Sequence, residues 1–110
     1  MKPIDAHIAL RSALAKGFRE ASTSQGQKKR SDHYYLFYYD QQNRKTSWRI
    51  KVSHGAREIK AGHIRSDAMR CRLKPEDMLK ILNCEHDRQW VELHYGEQQQ
   101  QQHPPFRNSR

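Results

Sequence analysis

Two histidines, His33 and His54, bracket a segment whose second half carries Arg49 and Lys51. Metal-free RNA cleavage needs a base for the 2′-hydroxyl proton, an acid for the departing oxygen, and cations beside the phosphorus. Imidazole suits both proton roles because its unperturbed pKa lies near neutrality. His33 and His54 with Arg49 or Lys51 would supply that set. Asp32, next to His33, is placed to orient an imidazole or to cap a strand. A histidine at a strand end is more often a structural hydrogen-bonder, so both readings stand at this point. The spacing of His33, His54 and His63 matches no metal-ligand pattern, and no metal is expected. The chain has no Gly-rich phosphate loop, HExxH motif, nucleophile elbow or paired carboxylates at helical spacing, and no cofactor is expected.

Two strand-like runs would position these groups. His33 to Tyr39 (HYYLFYY) is rich in aromatics and favours a strand. Its four tyrosines cannot all be core without partners for their hydroxyls, so one face, Tyr34/Leu36/Tyr38 or Tyr35/Phe37/Tyr39, packs on helices and the other stays open. Base stacking on the open tyrosines competes with plain sheet packing. Thr46 to Ser53 alternates cleanly: Thr46, Trp48, Ile50 and Val52 on one side, Ser47, Arg49, Lys51 and Ser53 on the other. Paired as an antiparallel hairpin across the polar loop Asp40 to Arg44, the start of the first run lies beside the end of the second. Both imidazoles would then share one end of a sheet with a buried side and a cationic side.

Helices surround this hairpin. Pro3 and Asp5 open the first, with Asp5 as N-cap and His7, Leu10 and Leu14 on one face, joined by Ala6 and Ala13 at its edge. Lys16-Gly17 ends it, the glycine taking the left-handed conformation. A short strand at Phe18 to Ala21 leads into a polar loop that ends in the cationic cluster Lys28-Lys29-Arg30. That cluster is either a solvated charge run or a phosphate contact. After the turn at His54-Gly55, Ile64, Ala68 and Cys71 mark the core face of a helix over His63 to Leu73, with Met69 and Leu73 nearby. Pro75 starts another, with core residues Met78, Ile81 and Leu82 and a stop at Asn83. A last short helix, about Asp87 to Tyr95, offers Trp90, Val91 and Leu93 and ends at Gly96. Glu97 to Arg110 is glutamine-rich and is expected to be disordered. The domain therefore spans residues 1–96 and the tail residues 97–110. Cys71 and Cys84 lie among apolar residues without metal-like spacing, and both read as reduced, buried thiols.

Charge narrows the partners. The chain has 110 residues and a formal net charge of +9, with a pI near 9.9 and a mean hydropathy of -1.16. Its lysines and arginines crowd between Lys28 and Lys74, where Asp32, Asp40, Glu58 and Asp67 are the acids. Such domains bind phosphate backbones, anionic membranes or acidic proteins. No apolar run approaches transmembrane length, no signal-peptide stretch opens the chain, and no basic helix carries bulky aromatic anchors. A cytoplasmic protein that does not engage membranes is expected.

The order of these features resembles the HicA family of toxin–antitoxin mRNA interferases. The resemblance rests on an opening helix ending in Lys-Gly-Phe, a basic loop, Ser31-Asp32-His33 entering the aromatic strand, Val52-Ser53-His54-Gly55, and Glu58-Ile59-Lys60-Ala61-Gly62-His63-Ile64 before a helix. It covers Ala6 to Leu82. It implies a fold like the double-stranded RNA-binding domain, α-β-β-β-α, here with extra C-terminal helices. It also implies metal-independent endoribonuclease activity with His33 as the acid/base, and an acidic antitoxin covering the basic face. The family's Gly-Ser-His-His type motif is only partly kept: Arg30 stands for the glycine and Asp32 for the first histidine. The expectation is thus an α+β domain with a small antiparallel sheet of about three strands packed on helices. It would bind RNA through Lys28, Lys29, Arg30, Arg49, Lys51, Arg57 and Lys60, with His33 and His54 as catalytic candidates. The alternatives are a non-catalytic adaptor that binds an acidic protein through the same face, and a DNA-binding regulator, which the absence of a helix-turn-helix pattern disfavours.

Overall fold

The computed structural model describes residues 2–20, 33–53 and 55–102. The described elements run β1 (Ile4–Asp5), α1 (Ala6–Ala15), β2 (Phe18–Arg19), β3 (His33–Tyr39), β4 (Lys45–Ser53), β5 (Glu58–Ile59), α2 (Ala61–Arg70), α3 (Pro75–Leu82) and α4 (Arg88–Gln102). Strands β2, β3 and β4 form an antiparallel sheet in that order, while β1 and β5 pair separately. This is the expected α+β architecture, with the three-stranded sheet burying one face against helices.

Asp5 caps α1 as its position suggests: Oδ1 accepts from the backbone N–H groups of His7 (2.8 Å) and Ile8 (3.1 Å). The face the helix buries differs from expectation in part: Ala6, Leu10 and Ala13 pack in or against the core as expected. His7 and Leu14 are exposed, and the buried stripe is Ala9, Ser12, Ala13 and Lys16, spaced i, i+3, i+4, i+7. Small side chains let this helix lie close against α3, a preference that hydrophobicity alone does not signal. Gly17 follows with φ +99°, and a Cβ there would sit 3.2 Å from the Tyr38 ring. Only glycine allows both the left-handed backbone and that approach.

The hairpin register pairs Leu36 with Ile50 and Tyr34 with Val52 on the inner face, and Tyr35 with Lys51, Phe37 with Arg49 and Tyr39 with Lys45 on the outer. The inner face carries the core. Tyr38 is 1 % exposed, and its ring lies 5.5 Å from Phe18, 5.6 Å from Trp48 and 5.2 Å from Tyr95. Helix α2 adds Ile64 and Ala68, and α3 adds Met78, Ile81 and Leu82.

Five expectations need correction. Helix α2 starts at Ala61, so Gly62 lies within its first turn, and Met69 is 77 % exposed rather than near the core. In α4, Val91 is buried but Leu93 is 60 % exposed. That helix does not stop at Gly96: it continues through Gln102, so the first part of the glutamine-rich stretch is helical. Glutamine is a good helix former, and Gln98 anchors the extension by accepting from Trp48 Nε1 (2.9 Å) and donating to the carbonyls of Cys71 and Arg72 (3.0 Å each). Finally, the two thiols differ. Cys71 is buried and pushed up to about 12 by that burial, whereas Cys84 is exposed.

Candidate nucleic-acid interface

Alternation along β3 and β4 turns Tyr35, Phe37 and Tyr39 to the outer face of the sheet, beside Lys45, Arg49 and Lys51. Each ring there meets a cation. The Arg19 guanidinium carbon lies 3.7 Å from the Tyr39 centroid, Lys45 Nζ 4.5 Å from that of Phe37, and Arg49 and Arg70 each 5.5 Å from that of Tyr35. Tyr35 is the most open of the three, at 37 % exposed, and tilts toward Phe37 at 6.4 Å. The result is a surface of π-faces interleaved with positive charge.

The outer edge of β4 is closed by side chains of α2. Asp67 Oδ1 accepts from the Lys51 backbone N–H (3.0 Å), and His63 Nε2 donates to the Lys51 carbonyl (2.7 Å), an atom that can only accept. Cys71 Sγ donates to the Arg49 carbonyl at 3.6 Å. An open strand edge invites pairing with another chain, and these contacts remove its free donors and acceptors.

Asp67 is the centre of this seam. It is 1 % exposed, with Oδ1 also accepting from Arg70 Nη1 at 2.7 Å. Its Oδ2 has no hydrogen bond and lies 3.6 Å from His63 Nε2. Burial pushes the carboxyl up to about 6, against the opposing pull of the Lys51 N–H, His63 and Arg70. Beside it opens a cleft of about 240 Å³ lined by Lys51, Ser53, Gly62, His63, Ser66 and Arg70.

The anticipated residues are distributed as follows. Arg49 and Lys51 stand on the outer face as the alternation requires. The backbone of His33 pairs with Ser53, at the end of the sheet bordering the cleft. His54 and the cluster Lys28, Lys29 and Arg30 lie outside the described residues. Arg57 and Lys60 are exposed on the segment leading into α2, where the Arg57 carbonyl accepts from the Ala6 N–H at 2.8 Å. Sequence reasoning missed Arg19 and Arg70 as partners of the aromatic face, and His63 and Asp67 as the seam. A signal existed for the last pair: His63 and Asp67 are four residues apart, on one side of a helix.

The chain is thus an α+β domain with an aromatic and cationic open sheet face. No protein-family model, curated protein or solved structure matches it. Among the described residues no helix is long and apolar enough to cross a membrane.

Proposed function

We propose that this chain is an RNA-binding protein that lays a strand across the open face of its sheet. The observation that carries the reading is the pairing of every outward ring with a cation: Tyr39 with Arg19, Phe37 with Lys45, and Tyr35 with Arg49 and Arg70. Aromatic faces stack bases without sequence preference, worth about 1–3 kcal/mol per base, while adjacent guanidinium and ammonium groups meet the phosphates. A net charge of +9 supplies the long-range attraction. Flat exposed rings suit unpaired bases, so single-stranded RNA is favoured over the duplex.

The resemblance to HicA toxins extends this reading to metal-independent cleavage, with His33 and His54 as the acid–base candidates and an acidic antitoxin as partner. Binding and cleavage separate experimentally. Fluorescence anisotropy with a labelled RNA decamer, single-stranded and duplex, measures the first across a salt series. Tyr35→Ala should weaken single-strand binding by roughly 5- to 100-fold, the equivalent of one lost stack. Absence of RNA binding at low salt, or an affinity indifferent to Tyr35, would refute the proposal and leave an acidic protein as the better partner. Gel analysis of RNA incubated with wild type and His33→Ala tests the second: a nuclease that uses His33 loses its cleavage in the variant.

A further inference from the structure

We propose that the cleft between the end of β4 and α2 is a phosphate subsite, taking a phosphodiester of the nucleotide whose base stacks on Tyr35. The proposal rests on the RNA-binding reading above and adds to it a defined anion site, formed by side chains from two elements.

The cleft, about 240 Å³, has Lys51 on the β4 side and His63, Ser66 and Arg70 on the α2 side. At about 30 Å³ per water it accommodates a phosphate with part of its hydration. Among the described residues the Lys51 ammonium makes no ion pair or hydrogen bond. Arg70 gives Nη1 to Asp67 and keeps its remaining N–H groups for another acceptor. The Ser66 hydroxyl is exposed, and its helix position turns it into the same space. His63 has Nε2–H spent on the Lys51 carbonyl, so Nδ1 serves an anion only when it also carries a proton. Gly62 also lines the cleft and is exposed.

Among the described residues the charged groups facing this space are Lys51 from β4 and Arg70 from α2, both positive, beside the His63 imidazole, with Asp67 buried behind Arg70. Asp67 holds Arg70 in place without occupying its whole donor set. Bidentate donation by the free side of a guanidinium is the preferred way to hold a phosphate. Geometry also ties the cleft to the stacking ring. Lys51 is the register partner of Tyr35, and the Arg70 guanidinium lies 5.5 Å from the Tyr35 centroid. A nucleotide with its base on Tyr35 therefore has Lys51 and Arg70 on the side where its phosphate leaves the ring.

Two titrations of the full chain test this. Inorganic phosphate, followed by backbone amide NMR, should shift Gly62, His63 and Ser66 in the wild type. Lys51→Gln should weaken that response at least about 5-fold, one charge-assisted contact. Ser66→Glu, which puts a carboxylate into the cleft, should abolish it, and Lys80→Gln on the exposed side of α3 should change nothing. With the RNA decamer, Lys51→Gln should reduce the slope of log affinity against log salt by about 0.7, the value for one phosphate on a single strand. Both cleft substitutions alter exposed side-chain ends, and unchanged circular dichroism confirms that the fold is kept. Phosphate shifts that persist in Ser66→Glu, or that scatter over the surface, overturn the subsite. If RNA binds through Tyr35 with an unaltered salt slope in Lys51→Gln, the subsite falls and the RNA reading stands. If phosphate titrates the cleft but no RNA binds, the subsite stands and the RNA reading falls.

Discussion

Asp67 gives the sharpest prediction, because its burial fixes the sign of a pH effect. Its carboxyl is 1 % exposed and is raised from 3.8 to about 6 in the folded chain, chiefly by loss of water. Below about pH 4 the group is protonated in both folded and unfolded states and contributes no pH dependence. Between about 4 and 6 the folded chain holds a proton that the unfolded chain has released, so stability falls as pH rises. Above that window both states are ionised and the penalty is constant. A shift of about two units corresponds to roughly 3 kcal/mol. Asp67→Asn keeps an oxygen for the Lys51 N–H but cannot titrate. Urea denaturation, followed by far-UV circular dichroism at pH 4, 5, 6 and 7, measures both proteins. Wild type should lose roughly 3 kcal/mol relative to the variant across this range. His63 Nε2 lies 3.6 Å from Asp67 Oδ2, so the same pair of proteins in a His63→Gln background isolates the carboxyl from the neighbouring imidazole. A difference that stays flat, or that grows in favour of wild type as pH rises, would refute the reasoning.

Other outcomes follow from the same contacts. Cys84 Sγ lies 2.8 Å from Ser12 Oγ and 3.3 Å from Lys16 Nζ, and these two contacts, the hydroxyl first, lower its pKa. Iodoacetamide at neutral pH should therefore alkylate Cys84 and leave Cys71 untouched in the folded protein, with Lys16→Met slowing the reaction; equal labelling of both thiols would contradict this. Gln98→Ala strips the Trp48 indole of its acceptor and frees the Cys71 and Arg72 carbonyls, which should cost about 1–3 kcal/mol in urea denaturation. Trp48→Ala, at a site 2 % exposed and in contact with the Tyr38 and Tyr95 rings, should cost about 3–5 kcal/mol and lower the melting temperature accordingly.

Much of this architecture was legible in the chain. The period-two alternation of Thr46 to Ser53 announced which side chains of β4 face the core, because a pleated strand leaves no other option. Local chemistry likewise identified the Asp5 cap, the left-handed Gly17, and the start and stop of α3 at Pro75 and Asn83. These depend on a few neighbouring residues and on backbone sterics. On α1, Ala9 and Ser12 were missed for the opposite reason: they are buried because a neighbouring helix needs room, and hydrophobicity does not encode room.

The cationic face was anticipated from Arg49 and Lys51, yet two of its five cations come from outside the hairpin. Arg19 arrives on β2 and Arg70 on α2, far apart in sequence and brought onto Tyr39 and Tyr35 by strand order and helix docking. The same holds for the cleft. His63 and Asp67 reach Lys51 because α2 closes the edge of β4, and Gln98 reaches Trp48 because α4 outlasts Gly96. By itself, then, the amino-acid order determined most of the elements, the polarity of each strand face and the surplus of positive charge. All three follow from short-range periodicity and from total charge. Which rings receive Arg19 and Arg70, and that His63 and Asp67 close the edge of β4, was decided only in three dimensions. Those pairings are set by packing between segments tens of residues apart, for which no local pattern exists.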